Sequence, residues 1–151
     1  KWDLIHSSWS SAIKLLLIFA AIFTVPMIIY PDPLIHLFLD NDLSPERTEY
    51  LFSLLKIVSA CILVYFILDG ITWISSAVLT ASGDTIFVMW MNALGAWCFA
   101  LVPIYVFIIL YEGSPSSSWI IINFYGLMNA ICFYLRYRSN IWREKSKLIS
   151  I

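Results

Sequence analysis

Four long apolar runs divide this chain, and charged and turn-forming residues mark their edges. The first run, 13–31, closes at Pro31-Asp32-Pro33 and reaches about the 18 residues that a membrane-spanning helix needs. A short amphipathic stretch, Leu34 to Leu39, follows it, and the polar loop Asp40-Asn41-Asp42-Leu43-Ser44-Pro45-Glu46-Arg47 then separates it from the second run, 50–80. That run is longer than one crossing requires and predicts a tilted helix or one that overhangs the lipid. Ala81-Ser82-Gly83-Asp84-Thr85 makes a tight connection to the third run, 86–111, which carries no charge and holds Asn92, Gly95 and Pro103. Pro103 predicts a kink. The turn-rich segment from Glu112 to Ser118 leads to the fourth run, 119–135, near the minimum spanning length, and a basic tail occupies 136–151. The pattern predicts an all-α, polytopic integral membrane protein with four transmembrane helices.

Composition agrees with that pattern and excludes other classes. Of 151 residues, 61% are hydrophobic and 13% charged, more apolar surface than a soluble domain of this size could bury. A net charge of -1 supplies no basic field for nucleic acid, and neither a zinc-ligand nor a phosphate-cradling spacing occurs. Cys61, Cys98 and Cys132 lie far apart within apolar runs and read as small buried hydrophobes. His6 and His36 stand alone near run borders, with no second ligand at metal spacing.

Charge placement adds a sidedness. Lys1 and Lys14 precede or open the first run, and Arg136, Arg138, Arg143, Lys145 and Lys147 follow the fourth, whereas the loops after the first and third runs are acidic or neutral. The positive-inside rule therefore predicts both ends on the cytoplasmic side of a cell inner membrane, as four crossings require. Trp2, Trp9, Tyr30, Tyr50, Tyr111, Trp119, Tyr134, Tyr137 and Trp142 cluster near the predicted edges, as headgroup-seeking rings do, while Trp73, Trp90 and Trp97 lie deeper and read as packing residues. No signal-peptide cleavage pattern precedes the first run. A start at Lys1 without methionine predicts a piece of a longer polypeptide or a processed product.

Asp69 is the only formal charge between Lys56 and Asp84, inside the second run. An acid at mid-membrane costs about 2.5 to 3.5 kcal/mol on insertion scales, so a span that carries one turns it toward protein or a water-filled cavity, and the default expectation is a cation or proton site. Tyr65, Phe66, Trp73 and Asn92 are the candidates to line a cavity beside it, with Trp90, Trp97 and Phe99 as further rings for cation-π contacts. The plain alternative is an acid satisfied by Thr72 or Ser75 at helical spacing. Gly83, Asp84 and Thr85 read as a structural turn in which Asp84 caps the following helix. Asn92, Asn123 and Asn129 read as interhelical hydrogen-bonding groups, each worth about 0.6 kcal/mol.

Asp69-Gly70-Ile71-Thr72-Trp73, followed by Leu79-Thr80-Ala81-Ser82-Gly83-Asp84-Thr85, resembles the tenth helix and following loop of the multidrug and toxic compound extrusion transporters. Gly95-x-Trp97 and Pro103-x-Tyr105 resemble that family's eleventh helix, Gly113 and Trp119 its next loop and the start of its twelfth, and Arg136 to Trp142 its closing tail. Thr80 and Ala81 stand where the family often carries arginine and glycine. The resemblance spans nearly the whole chain and implies the last four helices of the second lobe of a twelve-helix transporter. It further implies a cation-coupled multidrug efflux antiporter, with Asp69 binding sodium or a proton alongside a glutamate from an earlier helix. Exported compounds would be lipophilic and often cationic, no cofactor would be needed, and no metal beyond sodium at Asp69. The expected partners are the bilayer, drug-like substrates and the remaining helices; the four alone would not transport.

Other functions remain to be weighed. A membrane hydrolase would also bury acids, but the runs hold no His-Glu-x-x-His, no Gly-x-Ser-x-Gly and no second acid to pair with Asp69, so the chain is not expected to be an enzyme. A lipid-linked saccharide flippase of the same superfamily would carry arginines in its spans, and none lies there. A small membrane assembly protein without transport activity would use Asp69 as an inter-subunit contact.

Overall fold

The computed structural model describes residues 2–30, 45–113 and 117–143, and these are helical apart from short turns. Helix α1 spans Trp2–Ile29, α2 Pro45–Ala81, α3 Thr85–Leu110 and α4 Ser117–Arg138. All four are long and apolar enough to cross a membrane. The expected stretch from Leu34 to Leu39 and the tail from residue 144 lie outside the described residues.

Two helices begin earlier than the hydrophobic runs. Helix α1 starts at Trp2 because Ile5 and Trp9 pack inward while the intervening serines face outward, an amphipathic turn without an apolar run. Helix α2 starts at Pro45, where a proline suits the first helical position, and Glu46 complements the positive helix end. At about 1.5 Å per residue its 37 residues exceed the roughly 30 Å of hydrocarbon, consistent with an overhang.

The irregularity expected at Pro103 takes a specific form. Wider π-type turns occupy Trp97–Leu101 and Tyr105–Leu110, on either side of Val102–Ile104. Proline has no N–H to donate, and such turns relieve the crowding it causes. None of the side chains in this half of α3 is buried.

Helix α2 is the centre of the assembly, packed against α1 on one side and α4 on the other. Hydrophobic burial cannot drive helices together in lipid, so small groups that permit close approach matter most. On α4 the buried stripe is Gly126, Asn129, Ala130, Phe133 and Tyr137; facing it, α2 offers Thr72, Ser75, Leu79 and Ser82. A side chain at Gly126 would meet Tyr65 Cδ2 at 3.2 Å, and one at Gly95 on α3 would meet Asn129 Oδ1 at 2.7 Å. Outside this seam, large apolar side chains are exposed along all four helices.

Helix α2 ends in a Schellman turn. Gly83 has φ 83°, and the amides of Gly83 and Asp84 bond to the carbonyls of Thr80 and Leu79 at 3.0 and 2.9 Å. A side chain is disfavoured at that φ, so glycine is required. The turn places Asp84 at the N-cap of α3 and aims it at α4.

Candidate functional site

Two polar constellations stand out, one at Asp69 and one where the start of α1 and the end of α4 meet the 82–84 turn. Asp69 lies in the second half of α2 and is half-buried. Its Oδ2 accepts a hydrogen bond of 3.1 Å from Trp73 Nε1, one turn along the same helix. Neither expected hydroxyl serves it: Thr72 donates back to the Leu68 carbonyl at 3.0 Å, and Ser75 accepts from Trp9 Nε1 at 3.3 Å. Phe66 and Trp73 are exposed, Trp73 at 69%, on the same face as Asp69. Tyr65 is half-buried one turn earlier, its ring against Gly126, and Asn92 is exposed on α3 without a hydrogen bond to that face.

Among the described residues Asp69 has no basic partner, and no group of three His, Cys, Asp or Glu side chains could hold a metal. Hard cations take several oxygen ligands. Asp69 supplies up to two, so a cation here needs ligands from elsewhere.

The second constellation was not legible as a site in the sequence. Asp84 is fully buried, and its Oδ2 receives Arg136 Nε at 2.7 Å. It occupies the N-cap position of α3 but makes no side-chain cap bond, contrary to the expected capping role; the guanidinium from α4 takes its carboxylate instead. Thr85, the first residue of α3, is exposed. Arg136 also lies over the Phe87 ring, 5.0 Å from its centroid.

Next to Arg136 on α4, Tyr137 stacks between two tryptophans, Trp9 at 5.1 Å and Trp142 at 6.0 Å between centroids. Asn140 adopts φ 59°, a left-handed conformation that asparagine tolerates, and this turns the chain so that Trp142 folds back with its Nε1 bonded to the Tyr137 carbonyl at 2.7 Å. Trp142 is therefore completely buried rather than resting at the headgroups. His6, to which the sequence assigned no chemistry, bridges the Tyr137 hydroxyl through Nδ1 and accepts from Arg143 Nη2 through Nε2 at 2.6 Å. With Nε2 accepting, Nδ1 of the neutral ring carries the hydrogen and donates it to Tyr137. Leu79 and Phe133 complete the core beneath.

Several expectations are corrected. Trp73, Trp90 and Trp97 face outward, exposed at 69%, 55% and 62%, instead of packing among the helices. Asn123 bonds to the Trp119 carbonyl of its own helix at 2.8 Å, and Asn129 Oδ1 is buried against Gly95 without a hydrogen-bond partner. The three cysteines are free, and Cys98 is exposed rather than buried. His36 lies outside the described residues.

Apolar grooves line the outside of the helices. One of about 370 Å³ runs between α1, α2 and α4 and is lined by Trp9, Ile13, Leu68, Ile71, Leu127, Ala130, Ile131 and Tyr134. Another, of about 560 Å³, follows the π-wound part of α3 between Trp97 and Ile109. Asp69 lines neither.

These features define an all-helical protein whose four long helices are apolar enough to span a membrane, tied at one end by a buried ion pair and an aromatic stack. No family model, curated protein or solved structure matches the chain.

Proposed function

We propose that this chain forms part of the second lobe of a cation-coupled multidrug efflux antiporter, with Asp69 as the group that binds sodium or a proton. One observation carries the reading: a carboxylate deep in the longest apolar helix, without a basic partner among the described residues, on a face whose neighbours Phe66 and Trp73 are exposed. Lipid cannot cover an ionised acid cheaply, so that face requires protein, water or a cation. Protonation or cation binding neutralises Asp69 and so favours whichever packing of the lobes buries it. The ion gradient is coupled through this difference in affinity between two states. The exposed rings of Phe66 and Trp73 suit flat, lipophilic cations. The remaining helices supply the other cation ligands and the opposite cavity wall, and the segment alone does not transport. Both of its ends lie on the cytoplasmic side of the inner membrane, as the positive-inside rule requires.

The test is efflux driven by an imposed sodium or proton gradient in the complete transporter carrying Asp69→Asn. Loss of gradient-driven efflux with normal insertion is the expected result; undiminished efflux would sink the proposal.

A further inference from the structure

We propose that the groove between α1, α2 and α4 binds one acyl chain of an anionic phospholipid, whose phosphate is held by Arg138. The inference requires the four helices to be membrane spans but is independent of any coupling role for Asp69. Three features converge on it.

The first is the groove itself, about 370 Å³, with Ile13, Leu68 and Leu127 among its lining residues. Leu127 and Ile131 are 41% and 42% exposed, so the groove is open on its α4 side to the surroundings of the bundle. The second is the order of chemistry along α4. Leu127, Ile131, Tyr134 and Arg138 follow one another at spacings of four, three and four residues and share one helix face. Apolar lining thus gives way to a phenol and then to a guanidinium at the last residue of the helix. Trp9 faces Tyr134 across the groove at 5.8 Å between ring centroids. Paired amphipathic rings suit the level of a lipid's glycerol and esters.

The third feature is charge. Arg136 is committed to Asp84 and Arg143 to His6, whereas Arg138 is exposed and has no partner among the described residues. Arg138 follows Tyr134 on the groove face, so its guanidinium stands beyond the apolar lining and matches an anionic headgroup above an acyl chain. A soluble anion would leave the groove unused, and a neutral lipid would leave Arg138 unused.

Native mass spectrometry of the full chain, released from detergent with dioleoyl phosphatidylglycerol or dioleoyl phosphatidylcholine, tests the proposal. Phosphatidylglycerol should be retained in preference. Arg138→Gln should lower its retention by about fivefold, leaving phosphatidylcholine unchanged. Ile131→Trp should abolish phosphatidylglycerol retention with every charge intact, whereas Ile120→Trp, at the opposite end of α4, should not. Glycerol phosphate should fail to compete. Equal retention of the two lipids by the unmodified chain, or full phosphatidylglycerol retention by Arg138→Gln, would overturn it. So would competition by glycerol phosphate, which would point to a simple anion site. Helical content by circular dichroism checks that each variant is folded; should Ile131→Trp fail to fold, the charge variant decides alone.

Discussion

Arg136→Gln should be among the most damaging single changes to this fold. Asp84 is fully buried, Arg136 approaches it at 2.7 Å, and the arginine side chain is 22% exposed. Removing one member of a buried pair costs about 3 to 5 kcal/mol, because the remaining charge loses that ionic contact in a low-dielectric site. The partial exposure of Arg136 lets solvent reach the guanidinium, which places the expected loss near the lower limit, about 3 kcal/mol. Asp84→Asn combined with Arg136→Gln removes both charges and should cost less than Arg136→Gln alone. The two changes should therefore be non-additive, with a coupling of about 1 to 3 kcal/mol. Unfolding in detergent micelles, followed by tryptophan fluorescence, suits the measurement, since Trp142 is fully buried in the core cluster with Tyr137. An Arg136→Gln variant within about 0.5 kcal/mol of the unmodified chain, or strict additivity, would show that the pair does not hold α4 to the turn.

Gly83→Ala should cost about 1 to 2 kcal/mol, because φ 83° crowds any side chain, and the same unfolding assay reads it. Glu112, at φ 51°, is the converse: Glu112→Gly should stabilise the chain modestly, seen as a raised unfolding midpoint. Gly126→Leu should separate α2 from α4, since even a Cβ there meets the Tyr65 ring at 3.2 Å; a loss of at least about 1 to 3 kcal/mol is expected.

The helices were legible in the sequence because lipid imposes a simple requirement: a run of apolar residues long enough to cross. What that requirement does not encode is how one helix meets another. Helices α1 and α2 begin before their apolar runs, since His6 to Ser11 and Glu46 to Glu49 are mostly polar yet helical by position. Asp69 was legible as the only charge between Lys56 and Asp84, but its bond to Trp73 was not, because a tryptophan also reads as packing. The constellation between the start of α1 and the end of α4 was invisible for a different reason. His6 and Arg143 are 137 residues apart, and no local pattern announces that they meet. Trp142 looked like a headgroup residue until the left-handed turn at Asn140 folded it inward. Even Asp84 was recognised as structural for a partner it does not use, because a cap is a local inference and Arg136 is not.

The separation of these two constellations makes the proposed coupling role of Asp69 testable. Substitutions at Asp84, Arg136 or Trp142 disturb buried groups that join α1, the 82–84 turn and α4, so lost activity there would be indistinguishable from lost structure. Asp69 is different: it is half-buried, lies outside the core cluster, and touches Trp73 on its own helix. In Asp69→Asn the amide oxygen can still accept from Trp73 Nε1, and no charge needs to be accommodated in an apolar helix. Stability should therefore change by no more than about 0.5 kcal/mol, the range of substitutions away from packed or paired groups. Unfolding of Asp69→Asn beside Arg136→Gln decides the point. A loss comparable to that of Arg136→Gln would mean that Asp69 is a structural acid, and an efflux defect in the same variant would then carry no information about coupling. Unchanged stability with lost efflux would leave the carboxylate's charge as the property that transport uses.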